Sequence, residues 1–271
     1  MNRILIKLGG SSLQNANTLK QLILLIQGLH AQNKQVVVVH GGGPAINLEL
    51  TARGITWQFI NGQRQTTPEM MSVIEDVLAV KVNSSLVDIL TAAGIVAYGH
   101  SGAHQQTLVC TQANAELMQV GKIETVNIEA VETILNLGAV PVIAPIGIGE
   151  KGEKYNINAD WAATKLAMAL QVEKLIFLTD QNGILNEKSE LVTVATPSLI
   201  NEMIESGVIT GGMYTKVLTM VEALKSGVGS VQVLNAVNAS DLLSKTSVGT
   251  LLIDEVVSTA TKEVKQWTTT I

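Results

Sequence analysis

Six short runs of aliphatic and β-branched residues punctuate the chain, at 4–8, 36–40, 95–98, 140–144, 175–179 and 230–234. Between most of them lie longer stretches whose apolar residues recur at helical spacing, and this alternation is the pattern of βαβ units. The runs are apolar almost throughout, not at every second position. Both faces of each strand are therefore expected to be covered, as in a parallel sheet wrapped by helices with right-handed crossovers. The predicted fold class is α/β: a three-layer α/β/α sandwich around a mainly parallel open sheet. No fixed-period repeat or low-complexity linker interrupts the pattern. Any second lobe should then share the sheet, with a soft boundary at 171–174, giving an N-terminal lobe of 1–173 and a C-terminal lobe of 174–257. A tail of 258–271 follows, in which Lys262, Lys265 and Trp267 form a frayed helix or nothing ordered.

Composition narrows the functional classes. With 46% hydrophobic residues in 271, the chain has ample material for a continuous core. A net charge of −5 and only three arginines, Arg3, Arg53 and Arg64, argue against a nucleic-acid surface, which needs clustered basic residues. One cysteine, Cys110, allows no internal disulfide, and the opening MNRILIKLGG lacks the apolar core of a signal peptide. No apolar run approaches the roughly 20 residues that span a bilayer. The expected setting is the cytoplasm, with small molecules rather than nucleic acid or membrane as partners.

In open α/β sheets ligands sit beyond the carboxyl ends of the strands. There the chain reads Gly9-Gly10-Ser11-Ser12, Gly41-Gly42-Gly43-Pro44, Gly99-His100-Ser101-Gly102 and Thr179-Asp180-Gln181-Asn182-Gly183. Glycine lets backbone N–H groups approach a ligand, and a following helix N-terminus adds partial positive charge, so Gly10, Gly42 and Gly43 suit an anion. Tight-turn geometry alone would account for one such loop; two at corresponding strand ends favour phosphate. There is no GxxxxGK[ST] loop, and Ile46 stands where a dinucleotide fingerprint wants its third glycine. His100 and His104, with no carboxylate or cysteine nearby in sequence, read as solvated loop residues.

Charged residues in unusual places sharpen this. Lys7 lies inside the first apolar run, where a cation is costly unless an anion meets it or it snorkels from an edge strand. Lys216 falls in the expected first turn of a helix running through 221, where the helix dipole disfavours cations unless a polyphosphate reverses the sign. Asn158 is suited to an N-cap and Asp160 to a first-turn acid, while Asn156, ahead of the cap, is free to present its amide to a ligand. Arg64 lies in a polar loop after residues 57–60, and two readings fit it: a bidentate carboxylate clamp or a solvated arginine.

In order along the chain, Lys7-Leu8-Gly9-Gly10, His40-Gly41-Gly42-Gly43-Pro44, Asn61-Gly62-Gln63-Arg64, Asn156-Ile157-Asn158-Ala159-Asp160 and Gly211-Gly212-Met213 with Lys216 resemble the amino-acid kinase family. The resemblance covers about residues 1–253. The triple glycine with proline, the arginine loop and the Asn-x-Asn-Ala-Asp element are similar to the branch acting on acetylglutamate. It implies transfer of the γ-phosphoryl group of ATP, accompanied by Mg2+, to the γ-carboxylate of N-acetyl-L-glutamate. By the same resemblance Lys7 and Lys216 stabilise the migrating group, Asp160 holds both lysines, and Gly10, Gly42 and Gly43 donate backbone hydrogen bonds. Arg64 and Asn156 would grip the α-carboxylate side of the acceptor. Thr179, Asp180, Gly183, Gly211, Gly212 and Met213 would frame the nucleotide.

Lobe roles follow from the resemblance: acceptor binding and dimerisation for 1–173, ATP binding for 174–257. No dense carboxylate cluster suggests a protein-only metal cage. The first strand begins by Ile4, without the extra N-terminal helix of arginine-inhibited, ring-forming relatives, so the expectation is an arginine-insensitive homodimer. The family often has Arg-Val-Thr-Asp where this chain has Arg64-Gln65-Thr66-Thr67. Competing readings are a relative acting on glutamate, aspartate, carbamate or a carrier-bound aminoadipate, and a non-catalytic nucleotide sensor. The sensor reading would want Lys7, Lys216 or Asp160 replaced, and none is.

Overall fold

The computed structural model describes residues 2–60, 62–244 and 248–255, so Asn61 and the 258–271 tail lie outside the described residues. Chain order is β1 (Arg3–Leu8), α1 (Ala16–Ala31), β2 (Gln35–His40), α2 (Gly43–Ala52), β3 (Phe59–Ile60), β4 (Gln63–Arg64), α3 (Pro68–Glu75), α4 (Asn83–Ala92), β5 (Ala97–Ser101), β6 (Leu108–Gln112), β7 (Gly121–Val126), α5 (Glu129–Asn136), β8 (Val140–Ala144), β9 (Ile146–Ile148), β10 (Lys154–Asn156), α6 (Ala159–Ala169), β11 (Lys174–Thr179), β12 (Val194–Ala195), α7 (Pro197–Glu205), α8 (Gly211–Lys225), β13 (Ser230–Asn235) and β14 (Thr250–Leu252). A π-helical stretch, Asp76–Val82, joins α3 to α4.

All six expected runs become strands of one eight-stranded sheet in the order β12-β14-β13-β11-β1-β2-β8-β5. The six pair in parallel, and the antiparallel junction is between β13 and β14. The strands from 174 onward form one contiguous half of the sheet and the earlier ones the other. Alternation along β1 and β2 divides the core between two faces. Ile4, Ile6, Leu8, Val36 and Val38 pack with Leu22 and Leu25 of α1 and Leu86 of α4. Leu5, Val37, Val39 and Phe177 pack on the other side with Ala163 and Leu166 of α6 and Val217 and Met220 of α8. The three layers follow from residue types buried on both faces.

Lys7 has the parity of Leu5, so it belongs to the face covered by α6 and α8. It is no edge residue: β1 lies between β11 and β2, at the centre of the sheet. Other elements depart from the sequence expectation. Gly99, His100 and Ser101 are strand, not loop, because pairing with Val142, Ile143 and Ala144 of β8 overrides the turn character of glycine. His100 is accordingly buried, its Nε2 2.7 Å from Thr107 Oγ1, whereas His104 is exposed as expected.

A four-stranded sheet, β10-β9-β6-β7, and a two-stranded hairpin, β3–β4, had no counterpart in the expected strands. Their strands are two to six residues long, and β7 alternates exposed Lys122 and Glu124 around buried Ile123, a weaker signal than a continuous apolar run. Among the described residues, no helix is long and apolar enough to cross a membrane.

Candidate active site

The carboxyl ends of β1 and β2 bring two glycine loops into direct backbone contact. A Cβ on Gly10 would lie 2.8 Å from both Gly42 N and Gly43 N, and one on Gly41 would lie 2.9 Å from Gly10 N. Only glycine permits this approach at Gly10 and Gly41, and the cause is space, since φ is not in the left-handed region at either. Gly41 N donates to Leu8 O at 2.8 Å, whereas the N–H groups of Gly10, Gly42 and Gly43 have no hydrogen-bond acceptor among the described residues. Gly43 opens α2, so its unpaired amide is one of the free donors of a helix N-terminus.

Beside these loops three charged side chains meet in the layer between sheet and helices. Lys7 Nζ lies 2.9 Å from Asp160 Oδ1, and Lys216 Nζ donates to Asp160 Oδ2 at 2.9 Å. Lys7 is 8% exposed and Lys216 9%, so the cluster carries one uncompensated positive charge in a nearly dry setting. Burial by itself would raise the Asp160 carboxyl, but Lys7 and Lys216 together outweigh it and hold the group at about 2. Burial pushes the Lys216 ammonium down while Asp160 opposes, and Lys7 and Asp180 also act on it. Asp160 is placed by its helix start: Asn158 Oδ1 accepts from Asp160 N at 2.8 Å and Trp161 N at 3.4 Å, the expected N-cap. Lys216 sits in the second turn of α8, not the first. Its anomaly is therefore burial, and the dipole argument does not apply.

Arg64 is no loop arginine. It ends the hairpin strand β4, is 6% exposed, and its guanidinium carbon lies 5.0 Å from the Trp57 ring centroid and 4.7 Å from that of Phe59. Arg64 Nη2 donates to Asn47 Oδ1, while Nη1 is buried with no partner among the described residues. A buried guanidinium N–H left unpaired is costly and marks a place for an acceptor. Asn156 is less free than expected: its Nδ2 donates to Thr66 Oγ1 at 3.1 Å, and Thr66 Oγ1 donates to Arg64 O at 2.9 Å. The altered residues after Arg64 have local duties, since Thr66 makes this link and Thr67 Oγ1 caps α3 by accepting from Met70 N at 3.2 Å.

Lys7, Gly10, Gly42, Gly43, Arg64, Asn156 and Asp160 line one cavity of about 310 Å³. Lys216 joins it through Asp160. Thr179, Asp180, Gly183, Gly211, Gly212 and Met213 do not line it; they lie at the carboxyl end of β11 and the start of α8. There Thr179 Oγ1 donates to Asp180 Oδ1 at 3.1 Å, and Asn235 Nδ2 donates to Asp180 O at 3.1 Å. Gly183 has φ +148°, and a Cβ there would come 2.7 Å from Thr250 Oγ1. Gly211 and Gly212 face open space. Among the described residues, no three His, Cys, Asp or Glu side chains are grouped to hold a metal ion.

Sequence reading missed Asn47, Trp57, Phe59 and Leu78, which complete the site. A signal existed for two of them: in a chain with three tryptophans, two phenylalanines and three arginines, Trp57 and Phe59 stand two residues apart just before Arg64. The arrangement brings a buried cationic cluster, unpaired backbone donors and the buried Arg64 together around one cavity. It suits a small molecule with more than one anionic group.

The sequence profile of the amino acid kinase family matches residues 2–235. The chain is 42% identical over 245 residues to an acetylglutamate kinase of Brevibacillus brevis, covering 89% of this chain and 91% of that protein. It is 37% identical over 260 residues to an acetylglutamate kinase of Clostridioides difficile, covering 93% and 91%. The crystal structure of smu.665 from Streptococcus mutans UA159 superposes with a TM-score of 0.81 at 28% identity, covering 93% of this chain and 98% of that one.

The position of Asp160 sets a pH signature. A carboxyl whose pKa falls from 3.8 to about 2 on folding contributes stability that is fully present above 3.8 and is lost as pH falls through 2. Asp160→Asn removes this dependence and leaves two ammonium groups buried without their shared partner, a loss of about 3–5 kcal/mol at neutral pH. Urea unfolding across the acid range should show a shallower decline for the variant than for the wild type. Equal slopes would contradict the low carboxyl pKa.

Proposed function

Because this chain belongs to the amino acid kinase family, we propose that it transfers the γ-phosphoryl group of ATP to the side-chain carboxylate of N-acetyl-L-glutamate, a step of arginine biosynthesis. The observation that carries the choice of acceptor is Arg64, a buried arginine with one guanidinium nitrogen unpaired among the described residues, which lines the same cavity as Lys7 and the free glycine amides. One end would take the α-carboxylate of the acceptor and the other the reacting carboxylate with the phosphoryl group.

A carboxylate is already ionised at neutral pH, so no general base is required. An acceptor oxygen forms a bond to the γ-phosphorus while the bond from that phosphorus to the β,γ-bridging oxygen breaks. ADP leaves with the electron pair, and the product is N-acetyl-γ-glutamyl phosphate. The task of the protein is to bring two mutually repelling anions into line and to offset charge on the equatorial oxygens. In this reading Lys7 and Lys216 offset that charge, Asp160 holds both ammonium groups in place, and Gly10, Gly42 and Gly43 donate N–H bonds. Arg64 and Asn156 hold the acceptor, and Thr179, Asp180, Gly183, Gly211, Gly212 and Met213 frame the nucleotide. Residues 1–173 would serve the acceptor and 174–257 the nucleotide. Magnesium is taken to arrive with ATP as part of the substrate, held by phosphate oxygens. The reaction is assigned to the cytoplasm.

The partner proposed is a second copy of the chain. Among the described residues β5 is an edge strand of the large sheet, and Val96 and Tyr98 are exposed on and beside it. An unpaired strand edge with apolar residues is a template for association.

Acceptor choice is tested by trapping the acyl phosphate as a hydroxamate with acetylglutamate, glutamate, aspartate and carbamate in parallel, following ADP release. Acetylglutamate should be turned over with kcat/KM at least about 10²-fold above the others, because carbamate and aspartate cannot span both charged ends and free glutamate brings an ammonium group into a cavity lined by Lys7 and Arg64; preference for free glutamate would refute the assignment. In the same assay Lys7→Ala and Lys216→Ala should each lower kcat by roughly 10²-fold or more while ATP still binds. Near-normal turnover in either would remove that lysine from its role. Light scattering should report a dimer, converted to monomer by Tyr98→Lys; a wild-type monomer would dismiss the pairing.

A further inference from the structure

His40 ends β2, one residue before the triple glycine, and is completely buried. Its Nδ1 lies 2.9 Å from Gly41 O, and its Nε2 lies 3.0 Å from Asn83 Nδ2 at the start of α4. Asn83 Nδ2 also donates to Val142 O of β8 at 2.9 Å. That carbonyl can only accept, which fixes which end of the Asn83 amide is the nitrogen. The nitrogen then donates to His40 as well, so Nε2 is the acceptor of the ring and the ring proton sits on Nδ1, pointed at Gly41 O. Burial lowers the His40 pKa to about 4 against the opposing effect of the Gly41 bond, so the ring is neutral at physiological pH. A side chain at position 99 would come 2.1 Å from Asn83 Oδ1. The glycine in β5 that sequence reading placed in a ligand loop instead makes room for this amide.

The consequence lies in the next peptide. The Gly41 carbonyl and the Gly42 N–H belong to one planar trans unit and point in opposite directions. Gly41 N is used by Leu8 O, and Gly42 O accepts from Ile46 N at 2.9 Å. Anchoring Gly41 O on His40 therefore fixes the remaining free group, Gly42 N–H, opposite to His40, where Gly10 and the cavity lie. A glycine-rich turn without this anchor could rotate that peptide at little cost, because glycine has few steric barriers.

We propose that His40, held as its Nδ1–H tautomer by Asn83, is a positioning residue that orients the Gly41–Gly42 peptide so that the Gly42 N–H is presented to the transferring phosphoryl group. The role rests on the phosphoryl-transfer reading above. It touches neither substrate; it acts through the peptide.

Asparagine places an amide N–H near the His Nδ1 position, whereas glutamine reaches only toward Nε2. His40→Gln should lower kcat about 10²-fold with KM for ATP and acceptor within about threefold of wild type, and His40→Asn should recover kcat to within about tenfold. Each variant is assayed with whichever acceptor the wild type uses in the panel, so an error in the acceptor leaves this test intact. Nitrogen-15 NMR of the wild-type ring at neutral pH should show a neutral Nδ1–H tautomer. Wild-type kcat in His40→Gln, a loss that His40→Asn fails to recover, or an Nε2–H or doubly protonated ring would each overturn the role. If His40→Gln does not fold, the wild-type tautomer decides alone.

Discussion

Two ammonium groups share one carboxylate between the sheet and its covering helices, and much else in the structure is arranged around that contact. Moving an ion from water into such a setting costs several kcal/mol even after relaxation, more than the roughly 1.5–3 kcal/mol gained by burying an aliphatic side chain. Leucine at position 7 would serve the core better. Asp160 makes the two cations tolerable, and Asn158 fixes Asp160 by capping α6. Because β1, α6 and α8 each supply one member, the cluster ties a central strand of the sheet to two of the helices that cover it. One positive charge remains unmatched, which is what a site for a transferring phosphoryl group requires.

The second constraint is steric. Gly10, Gly41 and their neighbours allow two strand ends to meet backbone to backbone, and that closeness leaves three amide protons free. Unpaired amides at this depth are useful only if their directions are fixed. Hydrogen bonds to Leu8 O and from Ile46 N hold two sides of the loop, and His40 holds a third. Leu78, from the π-helical stretch, lies against Gly42, where an added Cβ would come 2.3 Å from Leu78 Cδ2. Rigid donors cost little reorganisation when charge develops, which is the advantage claimed for them in the proposed reaction.

The opposite wall of the cavity follows a different logic. Arg64 is held by two aromatic faces and by Asn47, so its guanidinium is oriented before any ligand arrives and one N–H stays unpaired. Trp57 and Phe59 are themselves partly exposed, so the hairpin forms a rim more than a core element. Thr66 links this rim to Asn156 and hence to the small sheet.

Much of the architecture was legible in the sequence because its signals are local. Continuous apolar runs can satisfy their backbones and bury both faces in few ways, so the six parallel strands and three layers followed from pattern alone. The same holds for Asn158, whose capping depends only on residues two and three places on, and for glycines at strand ends. Side-chain neighbourhoods between distant segments were not local. The sequence could place Lys7 in a strand, but only the tertiary structure decided that this strand is central and that its seventh residue faces α6 and α8. It likewise turned a loop arginine into a buried one, placed His100 inside a strand, and gave Gly99 to Asn83. For Lys7 the deciding contact is with Asp160, and for Gly99 and His100 it is pairing with β8, in both cases a segment far away in the chain that no short window of sequence contains; Arg64 was nearer to hand, with Trp57 and Phe59 seven and five residues before it.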